Sequence, residues 1–147
     1  MSEIKWAIEH SAETTADLAF TWRYMTDVKN WDDPPAKFSL NGSFSSGSPG
    51  STAIPGQPPR QWRLKQVKPQ ESYTIEIALE GAVILCKWVF AELPNNHARL
   101  TQHITLEGEN AQSYNDEVQQ AFGPGLVPGM NRIAMAISQA HARDQLR

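Results

Sequence analysis

Few residues of this chain combine a reactive side chain with a position that is expected to face inward. His10 and Tyr73 are the two that could move protons inside a folded core, and general acid–base catalysis requires such positioned, titratable groups. Tyr73 lies within an alternating stretch, whereas His10 lies where its strand should end, a position that favours exposure to solvent. The acid–base chemistry that the sequence offers is therefore sparse.

Two further inward residues, Cys86 and Gln102, could take part in chemistry or binding. A cysteine among apolar neighbours usually behaves as a small hydrophobe, and as a nucleophile Cys86 would need a histidine partner that the sequence does not offer. Gln102 falls between Leu100 and Ile104 on the inward face. A buried amide needs hydrogen-bond partners, so Gln102 should bond another side chain, water or a ligand, and a structural partner is favoured.

Metal ions and cofactors are not expected. His97 and His103 lie six residues apart, and no group of cysteine, histidine and carboxylate residues has metal-ligand spacing. Three glycines in residues 123–129 superficially resemble a nucleotide-binding loop, but their spacing is wrong and no strand precedes them. Asp32 and Asp33 precede two prolines and should end a helical turn on the solvated surface.

The composition indicates an ordinary soluble protein. The chain has 147 residues, 40% of them hydrophobic, which favours a single domain over residues 1–147 with a real core. A net charge of -3, with scattered basic residues, argues against nucleic acid as a partner. No apolar run is long enough to insert into a membrane, and the first residues do not form a signal peptide. The lone Cys86 excludes an internal disulfide, so a cytoplasmic location is expected.

The elements that must position these residues follow from hydrophobic periodicity. Ile4, Trp6 and Ile8 alternate with polar residues and predict a half-buried first strand. Thr14 to Asp17 resembles a capping box, in which a threonine oxygen accepts the first free amide hydrogens of a helix. Leu18, Trp22 and Met25 share one face of that helix.

The middle of the chain is predicted to be a meander of strands. Residues 27–31 should form a second short helical turn, and Asp33 should end it before the prolines. Residues 45–59 are rich in glycine, proline and serine and predict a surface loop with at most a short strand over residues 51–54. From Arg60 to about Leu106 apolar and polar residues alternate, which predicts one wet and one apolar face.

The tail of the chain is predicted to be helical with one interruption. Val118 and Phe122 form an i, i+4 pair, and a second apolar stripe begins at Met130. Two prolines and three glycines between them should break the helix within residues 123–129, beside the entrance to a pocket. Leu126 and Val127 should then close over the pocket as a lid.

A curved sheet around one helix leaves room for a cavity, and large aromatic residues fall on its predicted inner face. Such a surface suits a flat or greasy molecule, because ligand pockets are mostly apolar with few polar anchors. The residues predicted to contact a ligand are Trp22, Trp62, Tyr73, Ile75, Cys86, Trp88, Gln102, Met130 and Ala134.

Three passages resemble the START-like helix-grip superfamily (SRPBCC), which includes polyketide cyclase/dehydrase-like bacterial proteins. The helix with Phe20 and Trp22 is followed by Asp27 to Trp31, which looks like the Asp-x-x-x-Trp segment of that family. Residues 47–62 are similar to its glycine-rich hairpin, and residues 122–125 precede the long terminal helix. The resemblance implies an α+β fold: a curved seven-stranded antiparallel sheet wrapped around the C-terminal helix, two short helices after the first strand, and a ligand cavity between. It assigns no catalytic residue.

Three functions remain open at this point. The first is a carrier or sensor that binds a small hydrophobic or aromatic molecule in the cavity. The second is a polyketide cyclase/dehydratase-like enzyme, which requires at least two of Tyr73, Gln102 and His10 to converge. The third is a protein–protein adaptor. Exposed apolar residues expected on the outer face, namely Val83, Leu85 and Val89, could also support a homodimer.

Overall fold

The computed structural model describes residues 4–146, and these residues form seven strands, three α-helices and three 3₁₀ turns. The strands are β1 (Ile4–Thr14), β2 (Lys37–Leu40), β3 (Pro49–Ala53), β4 (Arg60–Lys68), β5 (Ser72–Leu79), β6 (Ala82–Leu93) and β7 (His97–Glu107). The α-helices are α1 (Leu18–Met25), α2 (Asn115–Phe122) and α3 (Leu126–Gln145). The 3₁₀ turns are Val28–Trp31, Pro94–Asn96 and Ala111–Tyr114.

All seven strands belong to one antiparallel sheet in the order β1-β7-β6-β5-β4-β3-β2. Strands β2 to β7 pair with their neighbours along the chain, and β1 closes the order against β7. The predicted seven-stranded antiparallel sheet, the two short helices after the first strand and the long terminal helix are therefore confirmed.

The helices cover one part of the inner face more closely than the rest. Helix α3 packs chiefly on β1, and α1 contacts β6, β7 and α3. The Thr14 hydroxyl lies 2.7 Å from that of Ser138, which joins the end of β1 to α3. Because α3 lies over one edge of the sheet, the inner faces of β4 and β5 are separated from it by a gap. No helix among residues 4–146 is long and apolar enough to cross a lipid bilayer.

Two local predictions near the start of the chain are wrong. Ile4 is 58% exposed rather than half-buried, because the pairing register shifts between Ile4 and Trp6 and breaks the alternation. Asp17, not a threonine, caps α1: its Oδ1 accepts a hydrogen bond from the backbone N–H of Phe20 at 2.7 Å. Asp17 is the stronger cap because its carboxylate also interacts favourably with the positive end of the helix.

The outer face of the sheet is polar at its centre and carries a depression of 490 Å³. Its walls include Leu85 and Lys87 of β6 and His103 of β7. The apolar residues expected to be exposed here, Val83, Leu85 and Val89, are half-buried instead. Neighbouring long side chains on the same face cover part of their surface.

Candidate ligand-binding site

A cavity of 620 Å³ lies between the inner face of the sheet, the 3₁₀ turn Val28–Trp31 and the start of α3. Pockets that hold drug-sized ligands commonly measure about 300–1,000 Å³. The sheet contributes Phe38, Thr52, Arg60, Trp62, Tyr73, Ile75, Ile77, Cys86, Trp88, Gln102 and Ile104. The helical segments contribute Tyr24, Met25, Asn30, Trp31, Asp32, Asp33, Ala121, Phe122, Gly125, Leu126, Gly129, Met130, Arg132, Ile133 and Ala136.

Seven of the nine residues predicted to bind a ligand line this cavity: Trp62, Tyr73, Ile75, Cys86, Trp88, Gln102 and Met130. Trp22 and Ala134 do not. Trp22 packs edge-on against Tyr73 at 6.0 Å and Phe90 at 5.4 Å between ring centroids. It therefore contacts a wall residue without lining the cavity itself. Ala134 is buried in the core, and the α3 residues on the wall after Met130 are Ile133 and Ala136.

Trp31 is the largest wall residue that the sequence did not single out as a ligand contact. Its ring is stacked on Tyr73, with centroids 5.9 Å apart and planes 9° apart, and lies 5.5 Å from Trp62. Its Nε1 donates to the Met25 carbonyl at 2.7 Å. The side chain is thus held by a hydrogen bond to the preceding helix and by four aromatic neighbours, since Phe38 and Phe44 also contact it. A four-residue 3₁₀ turn is too short to show an amphipathic period, so the direction of the Trp31 side chain could not be predicted.

Trp62 forms the adjoining wall and is only 5% exposed. Its Nε1 donates to Thr52 Oγ1 at 3.0 Å, across the β3–β4 pair. The ring lies directly over Gly50, its register partner on β3, where any side chain would overlap the indole. Gly50 is therefore what allows a tryptophan to lie flat along this end of the sheet.

Tyr73 is completely buried between these rings. Its hydroxyl donates to the Met25 carbonyl at 3.4 Å. Burial raises the pKa of Tyr73 well above its usual value of 10.0, and the adjacent Cys86 thiol adds to the effect. The phenol is consequently neutral across the physiological range and is engaged by the protein itself.

Cys86 is unpaired, and burial raises the pKa of its thiol from 9.0 to about 12. The thiolate is the nucleophilic form of cysteine, and a pKa this high leaves almost none of it near neutral pH. Cys86 is accordingly a small apolar part of the wall, as its sequence context indicated.

Gln102 lies on β7, opposite Trp88 of β6 and His10 of β1. Its amide lines the cavity but forms no hydrogen bond with any other of residues 4–146, so the structural partner favoured by the sequence is not found. His10 is half-buried and does not line the cavity. Of the three residues considered for an enzyme, Tyr73 and Gln102 line the cavity, whereas His10, although it is the register partner of Gln102, does not.

The helical tail is broken as predicted, since α2 ends at Phe122 and α3 begins at Leu126. The break lies beside the cavity, because Phe122, Gly125 and Leu126 all line it. The lid prediction holds for Leu126 alone. Val127 is 47% exposed and does not line the cavity, since the first turn of α3 directs consecutive side chains to different sides.

Comparison with known proteins gives similarity in structure alone. No family model matches the chain, and no curated protein matches it. Norcoclaurine synthase from Thalictrum flavum, solved in complex with dopamine and hydroxybenzaldehyde, superposes with a TM-score of 0.70 at 14% identity, over 97% of this chain and 88% of that one. A protein from Thermobifida fusca gives 0.69 at 14% identity, over 90% and 93%. Protein Ms6760 from Mycobacterium smegmatis gives 0.60 at 17% identity, over 98% and 97%.

This chain has the helix-grip fold. The resemblance to START-like helix-grip proteins that the sequence showed is thereby confirmed at the level of the fold. Identities of 14–17% establish the fold and do not transfer an activity.

Charged residues of this helix-grip protein are found at the cavity where its walls reach the surface. Asp32, Asp33, Arg60 and Arg132 all line it and are all exposed. Asp32 also has a structural role, since its Oδ1 accepts from the Phe38 N–H at 2.9 Å and so joins the turn to β2. Among residues 4–146, no three histidine, cysteine or acidic side chains converge as a metal site would require.

Proposed function

We propose that this helix-grip protein binds a small hydrophobic or aromatic molecule in its 620 Å³ cavity, as a carrier or sensor. The observation that carries the proposal is a wall of aromatic rings whose positions are fixed before any ligand arrives. Trp31 and Tyr73 are both tied to the Met25 carbonyl, and Trp62 is tied to Thr52. A preorganised apolar wall favours binding because little side-chain entropy is lost when the ligand enters.

The size and shape of the wall favour a flat ligand. Stacked and edge-to-face contacts between aromatic rings each contribute about 0.5–1.5 kcal/mol beyond the area they bury. The norcoclaurine synthase neighbour was solved with two small aromatic compounds, dopamine and hydroxybenzaldehyde. That observation concerns the other protein, but it supports small aromatic molecules as the first compounds to test here.

Binding is favoured over the polyketide cyclase/dehydratase-like alternative. Proton transfer needs a titratable group whose pKa lies near the working pH. Burial raises the pKa of Tyr73 and of Cys86, which are the buried titratable residues of the wall, away from neutrality. Gln102 does not titrate, and His10 lies off the wall.

The proposal can be tested by thermal shift with a panel of small aromatic compounds, hydrophobic fluorophores and fatty acids. Native mass spectrometry of freshly purified protein would also detect any small molecule that copurifies. We expect at least one compound to raise the melting temperature, since a ligand at 100 times its Kd stabilises the folded state by about 2.7 kcal/mol.

A matched pair of variants assigns the binding to the cavity. Gly129 lines the cavity, and a Cβ built there meets only the Arg132 guanidinium, at 3.7 Å, so Gly129→Phe should fold and reduce the free volume. Val127→Phe introduces the same side chain at an exposed position of the same helical turn. Loss of the thermal shift in Gly129→Phe but not in Val127→Phe is the expected result. No shift with any compound, or equal loss in both variants, would contradict the proposal.

A further inference from the structure

Three aromatic residues of the cavity wall have their polar hydrogen bonded by the protein. Trp31, Trp62 and Tyr73 each direct their polar hydrogen to a protein oxygen, at 2.7, 3.0 and 3.4 Å respectively. The Thr52 hydroxyl accepts one of these bonds. Trp31 and Trp62 therefore present to a ligand mainly the faces and edges of their rings, and Tyr73 packs behind them.

Two neighbouring residues of the sheet wall, Trp88 and Gln102, do not follow this pattern. Neither the Trp88 indole N–H nor the Gln102 amide forms a hydrogen bond with any other residue of the described range 4–146. Thr21 Oγ1 is the one fully enclosed side-chain polar atom without a partner in that range, so the polar atoms of Trp88 and Gln102 are not sealed inside the protein. Both are instead accessible where their side chains line the cavity.

Strand pairing brings these two residues together. Trp88 on β6 and Gln102 on β7 are direct register partners, and both project from the inner face. Directly opposed residues of an antiparallel pair have Cβ atoms about 4.5–5.5 Å apart. An indole N–H and a primary amide at this spacing can reach a common ligand atom, since both side chains extend several ångströms beyond Cβ.

We infer that Trp88 and Gln102 form a recognition pair for an acceptor oxygen, either a carbonyl or a phenolic hydroxyl, on an otherwise apolar aromatic ligand. The inference rests on the proposed function and narrows its ligand class. An indole nitrogen only donates, and a glutamine amide offers two further donors and one acceptor. An apolar hydrocarbon in this position would leave these groups without partners, which lowers its affinity because unmade hydrogen bonds in a water-poor site are costly.

Two probes of nearly the same shape test the inference: 2-acetylnaphthalene, which carries a carbonyl oxygen, and 2-isopropylnaphthalene, which does not. Their Kd values would be measured by displacement of a bound anilinonaphthalene fluorophore from the intact chain. In Gln102→Met, which keeps the length of the side chain but removes its donors, the Kd of the ketone should rise about tenfold, the equivalent of one hydrogen bond. The Kd of the hydrocarbon should change by less than about threefold.

Further variants keep the result interpretable. If Gln102→Met does not fold, Gln102→Glu can replace it. This variant also loses the amide donors, so the Kd of the ketone should rise by a similar factor. Gln112→Met changes an exposed glutamine outside the cavity and should affect neither probe. Equal changes for the two probes in the Gln102 variants would overturn this inference and leave the proposed function standing. Failure of both probes to displace a bound fluorophore would also overturn this inference alone, whereas failure of the fluorophore and both probes to bind the unmodified chain would contradict both.

Discussion

Gly50→Ala should destabilise this protein although it adds a single methyl group. A Cβ built at residue 50 lies 2.5 Å or less from three atoms of the Trp62 ring, all in its six-membered half. The ring is 5% exposed, is hydrogen-bonded to Thr52, and lies 5.5 Å from the Trp31 ring, so moving it disrupts established contacts.

The size of the effect follows from what the ring must give up. Losing the hydrogen bond costs about 1 kcal/mol, and weakening the aromatic contact costs about 0.5–1.5 kcal/mol. Replacing a glycine also restricts the unfolded chain, which stabilises the folded state by about 0.4–1 kcal/mol. The net loss in the free energy of unfolding should therefore be about 0.5–2 kcal/mol, which urea denaturation followed by circular dichroism can measure.

A double-mutant cycle assigns the effect to the overlap. Trp62→Phe removes the six-membered half of the indole that meets the new methyl group, so Gly50→Ala in that background should cost nothing or stabilise slightly. Gly125→Ala adds a methyl group that meets no atom within 4 Å and serves as the control. The reasoning fails if Gly50→Ala unfolds at the same urea concentration as the unmodified chain, or if it is equally destabilising beside Phe at position 62.

Further predictions concern Thr21, Thr26 and Cys86. Thr21→Val should leave stability unchanged or raise it by up to about 1 kcal/mol, because the buried Thr21 hydroxyl has no partner among residues 4–146. Thr26→Val should lower the free energy of unfolding by about 1 kcal/mol, because Thr26 Oγ1 donates to the Trp22 carbonyl at 2.8 Å. Urea denaturation of the two variants would measure both effects. Cys86 should resist a thiol reagent at pH 8 until the chain unfolds, because burial raises its pKa to about 12. Stability should fall as the pH rises from about 9 towards 12, because the Cys86 thiol releases its proton near pH 9.0 in the unfolded chain but retains it in the folded one. If Cys86→Ala loses as much stability over this pH range as the unmodified chain, the assignment to Cys86 is wrong.

The sheet could be predicted from sequence because its signal is local. Side chains of a strand alternate with a period of two. The inward direction of Tyr73, Ile77 and Leu100 could therefore be predicted without knowledge of the partner strand. Strands β4 to β7 follow one another through short connections, and neighbours along the chain became neighbours in the sheet. The break before α3 was equally local, since prolines and glycines disfavour a helix wherever they occur.

The incorrect predictions concern side chains whose orientation depends on distant parts of the chain. Ala134 shares the apolar stripe of α3 with Met130, but periodicity cannot tell which part of a stripe meets the sheet and which meets a cavity. Trp31 lines the cavity because its 3₁₀ turn folds back until Nε1 reaches the Met25 carbonyl, a contact that no pattern within the turn encodes. The unpartnered state of Gln102 likewise became visible only with its neighbours in place.

The fully buried titratable residues of the cavity walls differ from the exposed ones in the chemistry that they can perform. Tyr73 and Cys86 are buried and stay protonated, because burial raises the pKa of each. Asp32, Asp33 and the two arginines are exposed, where water stabilises their charges and the dielectric constant weakens any action on a substrate. A catalyst of proton transfer needs a group that is both enclosed with its substrate and able to change charge near neutral pH. The enclosed Tyr73 and Cys86 keep their protons near neutral pH, which favours the proposed binding function over proton transfer by these two residues.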